Sequence, residues 1–238
     1  MATQPDQTQT QPLDREALLQ QARERAGLTD FGDLWFLEPM DHFIEASNRE
    51  GRLTPVGREG TVEVIVKGLV SRLRMVEDIK RHPEILDEKV DVAGIILGLP
   101  RTGSTIFQRL LASAPGMTGL RWYEAQNFAP FPGEERGKPV ERRAYAQSME
   151  ILVLGQMFVS TMIEGMNYVP SFSRWLNSFD QSKGHEDLKT ILKYLQWQDP
   201  SRKGRKWILK SPSNLPYAEV AAKAFPDALL IMTHRDPL

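Results

Sequence analysis

Apolar side chains recur at helical spacing over residues 13–26 (LDREALLQQARERA), and Gly27 supplies a stop signal. A second helix is expected over 38–49, closed by Gly51. Thr54-Pro55 joins an N-cap residue to a proline at the first helical position, opening a long helical pattern that runs to about Arg81, ahead of Pro83. Residues 13–90 therefore read as an all-helical N-terminal region. The period changes at 92–99 (VAGIILGL), a short run apolar on both faces and bounded by Gly and Pro, as in a strand buried inside a parallel sheet. The runs 207–209 (WIL), leading into Lys210, and 228–233 (ALLIMT) share that character. Helical segments are expected between them at 104–112, 140–163, 186–196 and 215–224. The order strand, several helices, strand, helix, strand predicts an α/β domain over 91–238, a parallel sheet flanked by helices. There is no internal repeat, and 130–139 (PFPGEERGKP) reads as a solvated loop.

Composition narrows the function. A chain of 238 residues is long enough to bury a substantial core. With Lys+Arg 30 against Asp+Glu 31, the net charge of -1 gives no global field to draw the chain to nucleic acid or acidic lipid, so any anion site is local and no nucleic-acid partner is expected. Cys 0 removes disulfides, thiolate nucleophiles and cysteine-ligated zinc together. The polar start MATQPDQTQTQP (1–12) lacks the apolar centre of a secretory signal and reads as a disordered arm, which suggests a cytoplasmic protein. The greasiest stretch, 151–163 (ILVLGQMFVSTMI), contains Gln, Ser and Thr and falls short of the ~20 apolar residues of a membrane span, so a buried helix is expected and no transmembrane segment.

In an open parallel sheet, ligands bind beyond the carboxyl ends of the strands. The first strand runs into Gly98-Leu99-Pro100-Arg101-Thr102-Gly103-Ser104-Thr105 and then a helix. Small residues there let successive backbone N–H groups curl round an anion at a helix N-terminus, which makes a P-loop-like phosphate cradle. An ordinary nucleotide triphosphatase loop would carry Lys where Ser104 stands. Here the cation is Arg101, whose fork can grip an oxyanion bidentately. The plain alternative is a tight strand-to-helix turn with an exposed arginine.

The loop Gly98 to Thr105 resembles the 5′-phosphosulfate loop of sulfotransferases that use 3′-phosphoadenosine 5′-phosphosulfate (PAPS). The likeness extends to Trp207-Ile208-Leu209-Lys210-Ser211-Pro212-Ser213-Asn214-Leu215 and to the run from Phe225-Pro226-Asp227-Ala228 to Thr233-His234-Arg235-Asp236-Pro237. GLTDFGD (27–33) and HPEILDE (82–88) resemble the bacterial branch of that superfamily, so the likeness covers about 13–238. The resemblance implies that the backbone from Thr102 through Gly103 and Ser104 to Thr105, with the Ser104 and Thr105 hydroxyls, holds the 5′-phosphate. Arg101 would sit on the bridging or sulfuryl oxygens, Arg235 on the 3′-phosphate, and Lys210 on the leaving side. Sulfuryl transfer asks mainly for positioning and charge stabilisation, so no metal is required. Many relatives place a histidine base where this chain has Asn214; other branches use a glutamate downstream of the loop, which makes Glu124 in Arg121-Trp122-Tyr123-Glu124 the expected base.

Other residues read more plainly. His42 and His82 lack a partner at metal-ligand spacing, His185 is expected to be exposed at the start of a charged helix, and His234 takes a structural role. Phe158, Met162, Met166, Tyr168, Phe172, Trp175 and Phe179 are core candidates, some of which could line an apolar acceptor pocket. The sequence stops at His234-Arg235-Asp236-Pro237-Leu238, whereas relatives continue with a further helix and a serine completing the 3′-phosphate site. The expectation is a carboxyl-truncated, incomplete α/β domain of questionable activity. The leading reading is a PAPS-dependent sulfotransferase acting on a small-molecule or lipid-like hydroxyl. The alternatives are a kinase-like P-loop protein, for which Asp236 is the magnesium candidate, and a non-catalytic nucleotide-binding remnant.

Overall fold

The computed structural model describes residues 11–99, 101–132, 149–212 and 215–236. Three helices open the chain: α1 (Arg15–Ala26), α2 (Leu37–Glu50) and α3 (Pro55–Arg81). Local chemistry sets their ends. The Asp14 carboxylate accepts from Ala17 N at 2.8 Å, the Thr54 hydroxyl accepts from Gly57 N at 3.1 Å, and Gly27 closes α1 in the left-handed conformation, φ 66°. The stretch 1–10 lies outside the described residues, and the carbonyls of Gln11 and Pro12 both accept from Arg58.

The turn between α1 and α2 is anchored by Arg72 of α3, 7% exposed. Its guanidinium donates to Phe31 O at 2.8 Å, Asp33 O at 2.6 Å and the Asp187 carboxylate at 2.6 Å. Asp187 belongs to α8 (Ser182–Gln198) and also accepts from Trp35 Nε1 at 2.9 Å. Tyr194, further along α8, donates to Asp78, further along α3. The two helices therefore run side by side in the same direction. The end of α8 leads to the amino ends of the sheet, where Gln196 donates to Lys89 O at 3.1 Å. Both helices thus end near the amino ends of the strands, α3 leading through Pro83–Asp87 to β1 and α8 through Pro200–Arg202 to β3.

The sheet comprises β1 (Asp91–Leu97), β2 (Met117–Gly119), β3 (Lys206–Lys210) and β4 (Leu229–Met232), all parallel, in the order β2-β3-β1-β4. Central β1 is buried on both faces. Ile95 and Leu97 join the main core, while Ile96 meets Ile208 and Ala112 beneath α4 (Ser104–Ala112). β2 is absent from the sequence expectation, because three residues are too few to show a period. β4 departs from the expected burial. It is an edge strand, and Leu229, Leu230 and Met232 are 70%, 44% and 63% exposed.

Further differences lie in the second half. Of the helix expected over 140–163, residues 140–148 lie outside the described residues, as do 133–139 of the expected loop. The remainder is a short helix, α6 (Ile151–Gln156), ended where Phe158 takes φ 61°, and then a 3-10 helix, Thr161–Gly165. Short helices α5 (Trp122–Gln126) and α7 (Pro170–Leu176) were not anticipated, and α9 (Ala218–Ala224) begins later than expected. Among the described residues no helix is long and apolar enough to cross a membrane.

His185 is a correction. It is 1% exposed rather than solvated, because α8 turns it inward instead of placing it on the charged face. Its Nδ1 lies 3.1 Å from Gln181 O and its Nε2 has no partner, so burial pushes its pKa below the usual 6.5, against the weaker pull of the Gln181 carbonyl. Below pH 6.5 the unfolded chain gains a proton here that the folded chain resists. Stability should therefore be full above that pH and fall by up to about 1.4 kcal/mol per unit as pH drops towards the lower folded value. His185→Gln should flatten this part of the melting-temperature profile; an unchanged slope would assign the acid sensitivity elsewhere.

Candidate active site

Three strand ends converge on one turn. After β1, Gly98 adopts φ 133° and lies so close to the segment after β4 that a Cβ would stand 2.7 Å from Thr233 O. Thr233 N and Oγ1 both donate to Leu97 O, at 3.1 and 3.2 Å. Thr102 Oγ1 donates to Leu99 O at 2.8 Å and lies 2.7 Å from Thr233 Oγ1. Arg101 and Gly103 both take left-handed backbone conformations, φ 71° and 84°. For Gly103 this is free, whereas for Arg101 it costs on the order of 1–2 kcal/mol, and such strain persists where the surroundings impose it. The result is a curled backbone feeding α4, whose first N–H groups meet no side-chain cap. Ser104 is buried at the base of this turn, whereas Arg101 and Thr105 are exposed and Thr102 is half-buried.

Cations arrive from the other two strands. Lys210 ends β3 almost fully buried, 2% exposed, and its Nζ donates to Thr105 Oγ1 at 3.2 Å. The ammonium missing from the loop thus stands beside it, delivered by the neighbouring strand. Burial lowers the Lys210 pKa, Glu150 opposes that by attraction, and Arg109 adds to it by repulsion. Arg235, exposed just beyond β4, donates from Nη1 to Arg101 O at 3.4 Å. Arg101, Thr102, Gly103, Ser104, Thr105, Lys210 and Arg235 therefore gather at one end of the sheet. Pro100 and Asn214 lie outside the described residues. Glu150 is absent from the sequence expectation. It is fully buried at the start of α6, and its carboxylate accepts from Lys210 N at 2.7 Å. No local pattern reveals it, because its partner is distant in sequence.

Glu124 does not join the cluster. It is 3% exposed, and its two oxygens accept from Arg202 Nη2 at 2.8 and 3.0 Å, while one also accepts from Arg121 N at 2.8 Å. Arg202 is itself 1% exposed and lies 4.8 Å over the Trp207 ring of β3. Arg121 and Asp199 extend the network, 3.3 Å apart. The Glu124 carboxylate is thus engaged by a buried guanidinium and fastens α5 to the segment preceding β3. Among the described residues no group of three or more His, Asp or Glu could hold a metal ion.

A family model described as the sulfotransferase family matches residues 95–238, and the chain belongs to that family. Two solved structures resemble it throughout. Sulfotransferase STF1 from Mycobacterium tuberculosis H37Rv superposes with a TM-score of 0.84 at 25% identity, covering 94% of this chain and 68% of that one. Sulfotransferase STF9 from Mycobacterium avium gives 0.81 at 27% identity, covering 94% of this chain and 63% of that one. A search of curated proteins finds no match.

Two tests separate structure from chemistry here. Glu124→Ala should cost about 3–5 kcal/mol in denaturant unfolding, the penalty for leaving Arg202 buried and unpaired; a loss under 1 kcal/mol would return Glu124 to the list of candidate bases. Lys210→Met should weaken sulfate binding at the turn roughly ten- to a hundredfold, as befits a charged hydrogen-bond donor. In the unsubstituted chain that binding should weaken as pH rises towards the lowered lysine pKa. Glu150→Gln, by removing the attraction that favours the cation, should move the decline to lower pH in a calorimetric titration series.

Proposed function

We propose that this chain transfers a sulfuryl group from PAPS to the hydroxyl of a small or lipid-like acceptor, without a divalent metal. The observation that carries the reading is the convergence of Arg101, Lys210 and Arg235 from three strand ends on one uncapped helix N-terminus. The residues suit the donor: the curled backbone has open space at Gly103, where a Cβ would meet nothing within 4 Å, and Arg101, Lys210 and Arg235 stand round it.

The donor supplies an activated sulfuryl group on a phosphate leaving group. The amides from Thr102 to Thr105 and the Ser104 and Thr105 hydroxyls hold the 5′-phosphate. Arg101 and Lys210 place positive charge where negative charge grows on the leaving oxygen, and the burial of Lys210 strengthens its effect. Arg235 takes the 3′-phosphate, which distinguishes this donor from ATP. The acceptor oxygen bonds to sulfur as the bond from sulfur to the 5′-phosphate oxygen breaks, adenosine 3′,5′-bisphosphate leaves, and the hydroxyl proton passes to solvent; Glu124, held by Arg202, is assigned no proton transfer.

Isothermal titration tests this directly. Adenosine 3′,5′-bisphosphate should bind without magnesium and more tightly than ATP, and Arg235→Ala should weaken it about ten- to a hundredfold while leaving AMP nearly unchanged. Preference for ATP with magnesium would instead establish the kinase-like reading.

A further inference from the structure

A groove of about 390 Å³ lies between the first half of α3, α6 and the 3-10 helix Thr161–Gly165. Val64, Gly155, Met162, Ile163 and Met166 form its wall, with Lys67 on the rim, and it shares Val64, Gly155 and Ile163 with a narrower recess ending on Phe43 and Phe158. Of the polar groups along it, the Glu63 carboxylate holds Arg25 at 2.9 Å and Gln156 Nε2 donates to Ala125 O at 2.6 Å, while Gln156 Oε1 is buried without a partner. A sugar or other polyol entering here would lose water and find few partners, whereas a hydrocarbon would bury apolar area.

The groove and the cation cluster are joined by one short element. Glu150, hydrogen-bonded to Lys210 N, immediately precedes α6, and Gly155 of the groove wall follows five residues later, about 8 Å along the helix axis. We infer that the groove binds the hydrocarbon body of the acceptor, making the substrate an alcohol or phenol with an alkyl or aryl tail rather than a carbohydrate. This rests on the sulfotransferase reading, which supplies the hydroxyl's destination beside Lys210.

The test is calorimetric binding of 1-alkanols from butanol to decanol to the full chain saturated with adenosine 3′,5′-bisphosphate. Affinity should rise about fourfold per methylene until the groove is filled. Val64→Asp and Met166→Asp, at positions already 43% and 53% exposed and therefore tolerant of substitution, should each weaken decanol at least tenfold while leaving adenosine 3′,5′-bisphosphate binding unchanged. Decanol binding indifferent to both substitutions, or a disaccharide binding more tightly than decanol, overturns the inference and leaves the donor reading intact. If adenosine 3′,5′-bisphosphate itself fails to bind the unsubstituted chain, the donor reading fails; alkanol binding that still responds to both substitutions would keep the groove as a site for apolar alcohols.

Discussion

The pairing register of β1 and β3 decides where the buried cation stands. Ile96 pairs with Lys210, and both follow the same face as Ile208, the face covered by α4. Because side chains alternate across a strand, a slip of one residue would turn Lys210 away from Thr105 and into the main core. An ammonium 2% exposed is expensive to bury unless it is hydrogen-bonded and near an opposite charge. Thr105 Oγ1 supplies the hydrogen bond, and the Glu150 carboxylate on the lysine's own amide supplies the charge. The start of α4, the end of β3 and the start of α6 are held together by that arrangement, and the curled turn before α4 depends on all three.

The parts of the molecule governed by local chemistry are those that could be read from the chain. Thr54-Pro55 marks the first residue of α3, Gly27 closes α1, and the apolar runs of β1 and β3 identify themselves because strands buried on both faces need no polar alternation. The gathering of the loop, Lys210 and Arg235 at one end of the sheet is legible as well, because Lys210 closes β3 and Arg235 lies just beyond β4, where a parallel sheet presents its polar strand ends. What distant contacts decide is not legible. Glu124 has the right residue type downstream of the loop, yet Arg202 claims it across a separation of 78 residues. His185 appears in a charged string, but α8 turns it towards the core. The end of α6 rests on Phe158, a non-glycine residue at positive φ held buried at 3% exposure, which no propensity would predict.

Charge is distributed in two ways around β3. On one side, Glu124, Arg202, Asp199 and Arg121 form a network of two acids and two bases that neutralises itself and projects little field. On the other, Lys210, Arg101 and Arg235 gather, with the Glu150 carboxylate on the lysine's backbone amide. A chain of net charge -1 has no long-range attraction to offer an anion, so any anion site has to draw on this local surplus. The three cations are unequal in salt. Arg101 and Arg235 are exposed and their attraction is screened within about 8–10 Å at physiological ionic strength, whereas Lys210 acts through a drier medium. In the proposed reading, hold on the leaving side therefore persists under conditions that loosen the grip on the 3′-phosphate, so donor selection and charge stabilisation rest on different residues.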